Sequence, residues 1–286
     1  MSCWYTYAVV SLVLMGTQRF LYKVSAERNC NTAWTTFSFM ATVAILSSIL
    51  FLVLWEPVAN IRYLLLMAFI NSTAFFIATI SHIEALKRVP ANITYPIIRL
   101  NVAVVVIFSL LYFKDRLSLY QVAGVVLAIA VVLILGREMG DAQASHRNLK
   151  RGFLLIFTSL LSGAAAVISS KFAAIHTNRL AFIALSYTMA TLFSLGVKRK
   201  FQTEASSRNN TDSLMIGIFM GLINLGGFYA FLKALSLGPL SIIASITGMH
   251  FVIAIVLSGL IYKEKLTPSR ILGVLFTIFT VILLRL

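Results

Sequence analysis

Ten long apolar runs, parted by short polar and basic stretches, decide what this chain can become. A helix needs about 20 mainly apolar residues to cross a hydrocarbon core. The runs lie roughly at Trp4–Tyr22, Ala33–Leu54, Arg62–Leu86, Ala91–Phe113, Ser118–Gly136, Gly152–Ile175, Leu180–Val197, Ser213–Leu237, Pro239–Tyr262 and Thr267–Leu284. Within lipid every backbone N–H and C=O needs a partner inside the protein, and a helix provides it alone. The pattern predicts an all-α membrane protein of ten transmembrane helices with almost no strand. Of the 286 residues, 59% are hydrophobic and 12% charged, against about a quarter charged in a soluble domain. A water-soluble fold could not cover that much apolar surface.

The formal charge of +15 raises nucleic acid as a partner. The basic residues sit between apolar runs, however, as cytoplasmic membrane loops do. Anionic lipid headgroups account for them, and no nucleic-acid partner is expected. Cys3 and Cys30 flank the first run, so they are expected on opposite faces and unbridged. No basic stretch precedes that run, which reads as a helix and not as a cleavable signal peptide.

The two halves of the chain are related at an offset of 149 residues. Met40-Ala41-Thr42 falls on Met189-Ala190-Thr191, Ala85-Leu86 on Ala234-Leu235, Pro90 on Pro239 and Ser109 on Ser258. Lys114-Asp115-Arg116-Leu117 falls on Lys263-Glu264-Lys265-Leu266, and Gly124-Val125 on Gly273-Val274. Residues 1–137 form the first five-helix repeat, 138–150 a cytoplasmic linker and 151–286 the second repeat. An odd number of helices per repeat makes the second copy enter the membrane from the opposite side. The expected arrangement is two inverted five-helix repeats, which can frame a site open to each face in turn.

Orientation follows from Lys and Arg, which favour the cytoplasmic side. Odd-numbered loops hold 15 of them and the other side 6, while Arg19, Arg99 and Lys171 lie within helices. Both termini are therefore expected outside, in an inner (plasma) membrane. The sequon Asn209-Asn210-Thr211 falls in a loop expected to be cytoplasmic, where it would go unused.

Ala85-Leu86-Lys87-Arg88-Val89-Pro90-Ala91, followed by a helix, Phe113-Lys114-Asp115-Arg116-Leu117-Ser118 and Gly124, resembles the EamA domain of the drug/metabolite transporter superfamily. Ala234-Leu235-Ser236-Leu237-Gly238-Pro239, Tyr262-Lys263-Glu264-Lys265-Leu266-Thr267 and Gly273 form the second copy. Gly16 with Lys23, and Gly163 with Lys171, resemble the glycine and lysine of each domain's opening helix. The resemblance implies a ten-helix, two-domain transporter with a central cavity, and export of amino acids or related metabolites. Asp115 stands where the family usually has Glu, and the tryptophan that often precedes the opening glycine is absent from both copies. The first helix also lacks the acidic residue of the small multidrug members, which weakens a proton-coupled drug antiporter.

Polar side chains at membrane depth are costly and so mark candidate sites. Arg99 is a candidate for holding a carboxylate or phosphate bidentately, with Tyr95 one turn earlier; pairing with Glu84 or snorkelling is the structural alternative. Glu84 is a candidate coupling residue, or an interfacial partner of Lys87 and Arg88. Asn71, Phe75 and His82 share one face of the third helix, and Asn101 corresponds to His250 through the repeat. Asn71, His82, Tyr95, Arg99, Asn101 and His250 are thus the expected substrate-binding residues, with interhelical hydrogen bonding as the alternative for each. Ser11, Gln18 and Tyr22 form a polar stripe on the first helix, and Asn224 and Phe228 a weaker one on the eighth. Trp4, Trp34 and Trp55 read as interfacial anchors.

A secondary transporter for a small polar metabolite, working by alternating access, fits these features. A flippase for a lipid or lipid-linked substrate is the alternative. An intramembrane enzyme lacks its equipment, with no paired aspartate, no HExxH and no Ser-His motif. His82 and Glu84 are too sparse for a metal site, so no catalytic residue, metal or cofactor is expected. Without a Walker A sequence, energy must come from a gradient. One chain holds both repeats, so a monomer or a homodimer would suffice.

Overall fold

The apolar runs form helices because lipid offers their backbones no other partner. The computed structural model describes residues 3–28, 30–54, 57–86, 88–89, 91–138, 149–201, 210–263 and 267–286. Among these are twelve α-helices and no strand. They are α1 (Cys3–Glu27), α2 (Thr32–Leu54), α3 (Ile61–Leu86), α4 (Ala91–Arg99), α5 (Asn101–Phe108), α6 (Leu119–Glu138), α7 (Leu149–His176), α8 (Arg179–Phe201), α9 (Asn210–Leu237), α10 (Leu240–Gly248), α11 (His250–Tyr262) and α12 (Pro268–Leu283). A π-helical turn, Ser109–Phe113, extends α5. Most of the 138–150 linker, Pro90, Trp55, Asn209 of the sequon and the turn at 264–266 lie outside the described residues.

Six segments are long and apolar enough to cross a membrane: Trp34–Leu54, Ile61–Leu86, Ile93–Phe113, Lys150–His176, Thr211–Leu237 and Leu240–Tyr262. Shorter apolar helices cover Leu119–Leu135, Arg179–Leu195 and Pro268–Leu283. The remaining helix, α1, has 25 residues and carries Gln18, Arg19 and Lys23 among its apolar ones. The protein is a multi-pass membrane protein.

Two runs depart from the sequence reading. Ala91–Phe113 and Pro239–Tyr262 are each expected as one span, with Pro96 read as a bend in the first, and each breaks, at Leu100 and at Met249. The Leu100 N–H bonds the Ile97 carbonyl at 3.1 Å and the Met249 N–H that of Ile246 at 3.2 Å, three residues back instead of four. In the first copy, Pro96 brings no N–H and its ring crowds the preceding turn. In the second, the Ser245 and Thr247 hydroxyls donate back to the carbonyls of Ser241 and Ile243 at 2.8 and 2.7 Å, which bends helices. Leu100 and Met249 stand at the same 149-residue offset as the repeated motifs.

Helices find their main partners across the midpoint of the chain. α1 lies along α9 and against α10 and α11, while α7 lies along α3 and against α4 and α5. α2 packs on α8 and α9, α8 also on α3, and α6 on α12. One large apolar cluster runs through both halves, from Ala8 and Leu12 to Phe251 and Val252.

The ends are tied by polar contacts. At one end the Tyr5 hydroxyl donates to the Val281 carbonyl at 2.6 Å, and Trp4 covers Gly238. There Asp115 accepts from the Ser241 N–H at 3.1 Å, its hydroxyl at 2.7 Å and the Ser109 hydroxyl at 2.5 Å. The first copy's charged turn thus caps a helix of the second copy. Lys171 Nζ donates to the Leu235 and Gly238 carbonyls at 2.6 and 2.8 Å, finishing α9. At the opposite end Gly152, near the start of α7, lies against Arg88 and Val89. The Asn31 N–H donates to the Ser213 hydroxyl there at 3.0 Å. Lys114 and Lys263, one in each copy, end their helices in the left-handed conformation, at φ of 54° and 53°.

Candidate functional site

The two breaks meet. A Cβ on Gly248 would fall 2.7 Å from Val102 Cγ2, so only glycine lets α10 approach α5 this closely. Each break also receives the opening helix of the other half. A Cβ on Gly16 of α1 would lie 2.5 Å from the His250 carbonyl oxygen, and one on Gly163 of α7 would lie 3.0 Å from Asn101 Nδ2. Asn101 and His250, equivalent through the repeat, are therefore seated alike against α7 and α1.

Around this crossing the side chains are basic and aromatic. The Arg99 guanidinium lies 5.4 Å from the Phe251 ring centroid. His250 Nδ1 is 2.7 Å from the Thr247 carbonyl; since a carbonyl only accepts, Nδ1 carries the hydrogen. His82 and Tyr95 meet edge to face at 5.2 Å. The Nε2 atoms of His82 and His250 are buried without a hydrogen-bond partner among the described residues. Arg19 of α1, exposed and one turn after Gly16, lies 5.7 Å from the Tyr22 ring. An aromatic wall continues from Tyr22 to Phe39 (6.4 Å), Tyr187 (6.0 Å) and Phe228 (5.8 Å). The Tyr187 hydroxyl donates to Asn224 Oδ1 at 2.5 Å.

His82, Tyr95, Arg99, Asn101 and His250 thus gather around the broken helices. Asn71 and Glu84 do not join them. The Asn71 amide is buried against α7, where its Nδ2 meets the Ala166 carbonyl at 2.7 Å and the Ser169 and Ser170 hydroxyls at 3.0 Å. Glu84 is held by Arg88, whose Nη1 donates to both the carboxylate and the backbone carbonyl of Glu84 at 2.6 Å. On the same helix Phe75 is exposed while Asn71 is buried. Arg19 and Tyr187 were not among the expected residues. Arg19 carries the same signal as Arg99, a charge inside an apolar run; Tyr187 carries none. Among the described residues no three His, Cys, Asp or Glu side chains gather as a metal site would require.

The EamA-like transporter family model matches this chain twice, over residues 2–137 and 150–286. The uncharacterized transporter YvbV of Bacillus subtilis (strain 168) is 26% identical over 228 residues, covering 77% of this chain and 70% of its own. A solved crystal structure aligns over 100% of this chain and 99% of its own at a TM-score of 0.79. At 13% identity that likeness shows the fold alone. Matched along almost its whole length, in a fold of membrane-crossing helices, the chain belongs to the EamA-like transporter family.

Proposed function

We propose that this member is a secondary transporter that carries a small polar metabolite with a carboxylate or phosphate group across the inner membrane by alternating access. One observation carries the reading: two helices broken at equivalent positions touch beside Arg99, with Arg19 one turn after the Gly16 that packs on the second break. Discontinuous helices at matching positions of two halves are where transporters bind substrate near the bilayer midplane. We read residues 1–137 and 151–286 as inverted repeats joined by 138–150. In support, α1 starts at the end of Tyr5 and Val281, whereas α7 starts at the end of Arg88 and Val89. Rocking of one set of helices against the other would open the crossing to each side in turn. Amino-acid export is what the family resemblance alone implies, before the charge at the crossing is weighed.

The test is uptake into liposomes. Purified protein, reconstituted with and without a pH gradient, should accumulate labelled metabolites that bear an acidic group. Arg99→Ala should reduce uptake by about tenfold or more, as loss of a charged partner for a bound anion does, while its elution on gel filtration stays normal. Unchanged uptake in the variant would return Arg99 to a packing role against Phe251.

A further inference from the structure

Charge at the helix crossing has one sign. Arg19 stands one turn after Gly16, which packs on the His250 carbonyl, and Arg99 lies over the next residue's ring, Phe251; neither guanidinium forms an ion pair among the described residues. The chain has 9 acidic residues, and none of those among the described residues is offered to the crossing. Asp115 is committed to Ser109 and Ser241 at one end. Glu84 is paired with Arg88, Asp212 with Arg28 at 3.9 Å, and Glu27 is exposed at the end of α1. Glu56, Glu138, Asp141, Glu204 and Glu264 fall outside the apolar runs. The Thr247 carbonyl, at the second break, is taken by His250. Among the described residues, an ammonium group entering here would meet two guanidinium groups and no carboxylate.

From this, and resting on the transport reading above, we infer that the solute carries two negative charges and no ammonium group, as a dicarboxylate or a phosphate monoester does, and sits between Arg19 and Arg99. A monoanion would leave one guanidinium uncompensated in a site walled by Phe39, Tyr187, Phe228 and Phe251. A zwitterionic amino acid would bring a third positive charge. Guanidinium groups match both carboxylate and phosphate oxygens, so the two anion types are equivalent at this site.

Two readouts on the full-length protein test this. One is the melting temperature in detergent with succinate, glycerol 3-phosphate, serine or aspartate added. The other is uptake of the same labelled compounds into liposomes. Succinate and aspartate share a skeleton and both carboxylates and differ by the ammonium group, so their comparison isolates it. We expect succinate or glycerol 3-phosphate to raise the melting temperature and to be taken up. Aspartate should compete about tenfold more weakly or worse. Arg19→Gln and Arg99→Gln should each abolish the preference, and Arg→Lys at either position should restore part of it. Serine or aspartate carried as well as the dianions overturns the inference and leaves a transporter. Arginine-dependent stabilisation by dianions without movement of any solute upholds the inference and overturns transport. Flipping of a fluorescent phosphatidate, with soluble dianions idle, upholds the dianion site and assigns its phosphate to a lipid. No stabilisation and no movement with any probe overturns both.

Discussion

Single side chains divide into those that hold helices and those left facing the crossing. Asn71 belongs to the first kind. Asn71→Ala should lower stability by about 1 kcal/mol, in the range of interhelical hydrogen bonds in membranes, seen as a lower melting temperature with uptake retained. Glu84→Gln should change little, because a partly exposed pair such as Glu84–Arg88 contributes about 0–1 kcal/mol, and uptake should stay near wild type. A collapse of uptake in Glu84→Gln would make that carboxylate a coupling residue after all. Lys171 is buried and donates to two carbonyls; Lys171→Met strands both and should cost about 1–3 kcal/mol. Part of this was legible in the sequence. Arg99 stood out as a charge inside an apolar run, and Asn101 and His250 as equivalents in the repeat. Arg19 was equally visible but has an apolar equivalent, Ile168, so the repeat drew no attention to it. Asn71 and His82 share a helix face on paper, yet a transmembrane helix meets different neighbours along its length, and a helical wheel does not say which.

At the level of helices, the breaks are the decisive feature. Gly248→Ala would force its new Cβ against Val102 and should cost about 1–3 kcal/mol through overpacking, with uptake falling in step. Val102→Ala added to it should recover much of both, measured by melting temperature and initial rate; no recovery would separate the effect from that contact. The ten runs and the two charged turns were readable because hydropathy and the 149-residue offset report them directly. The breaks were not, because hydropathy continues through Leu100 and Met249 undisturbed. Only Pro96 hinted at the first. Nothing as strong marks the second, where Ser245 stands at the equivalent position and the bend comes from hydroxyls, a glycine and the neighbour it admits.

For the whole molecule, the two native cysteines offer a test of orientation. Cys3 is exposed and Cys30 partly so, and both are free. With both termini outside, a membrane-impermeant maleimide should label Cys3 in intact cells, read in a Cys30→Ser variant. Cys30, read in Cys3→Ser, should react only after permeabilisation. The reverse pattern would invert the orientation. The exchange of partners across the midpoint, α1 with α9 and α7 with α3, bears also on how the chain is made. Translation delivers the first five spans while the surfaces they are shaped for are still unwritten. Until the later spans arrive, the glycine face of α1 has only lipid beside it, so a message truncated near the middle would release a product that membrane proteases should clear, whereas two half-length messages translated together could still assemble the pair.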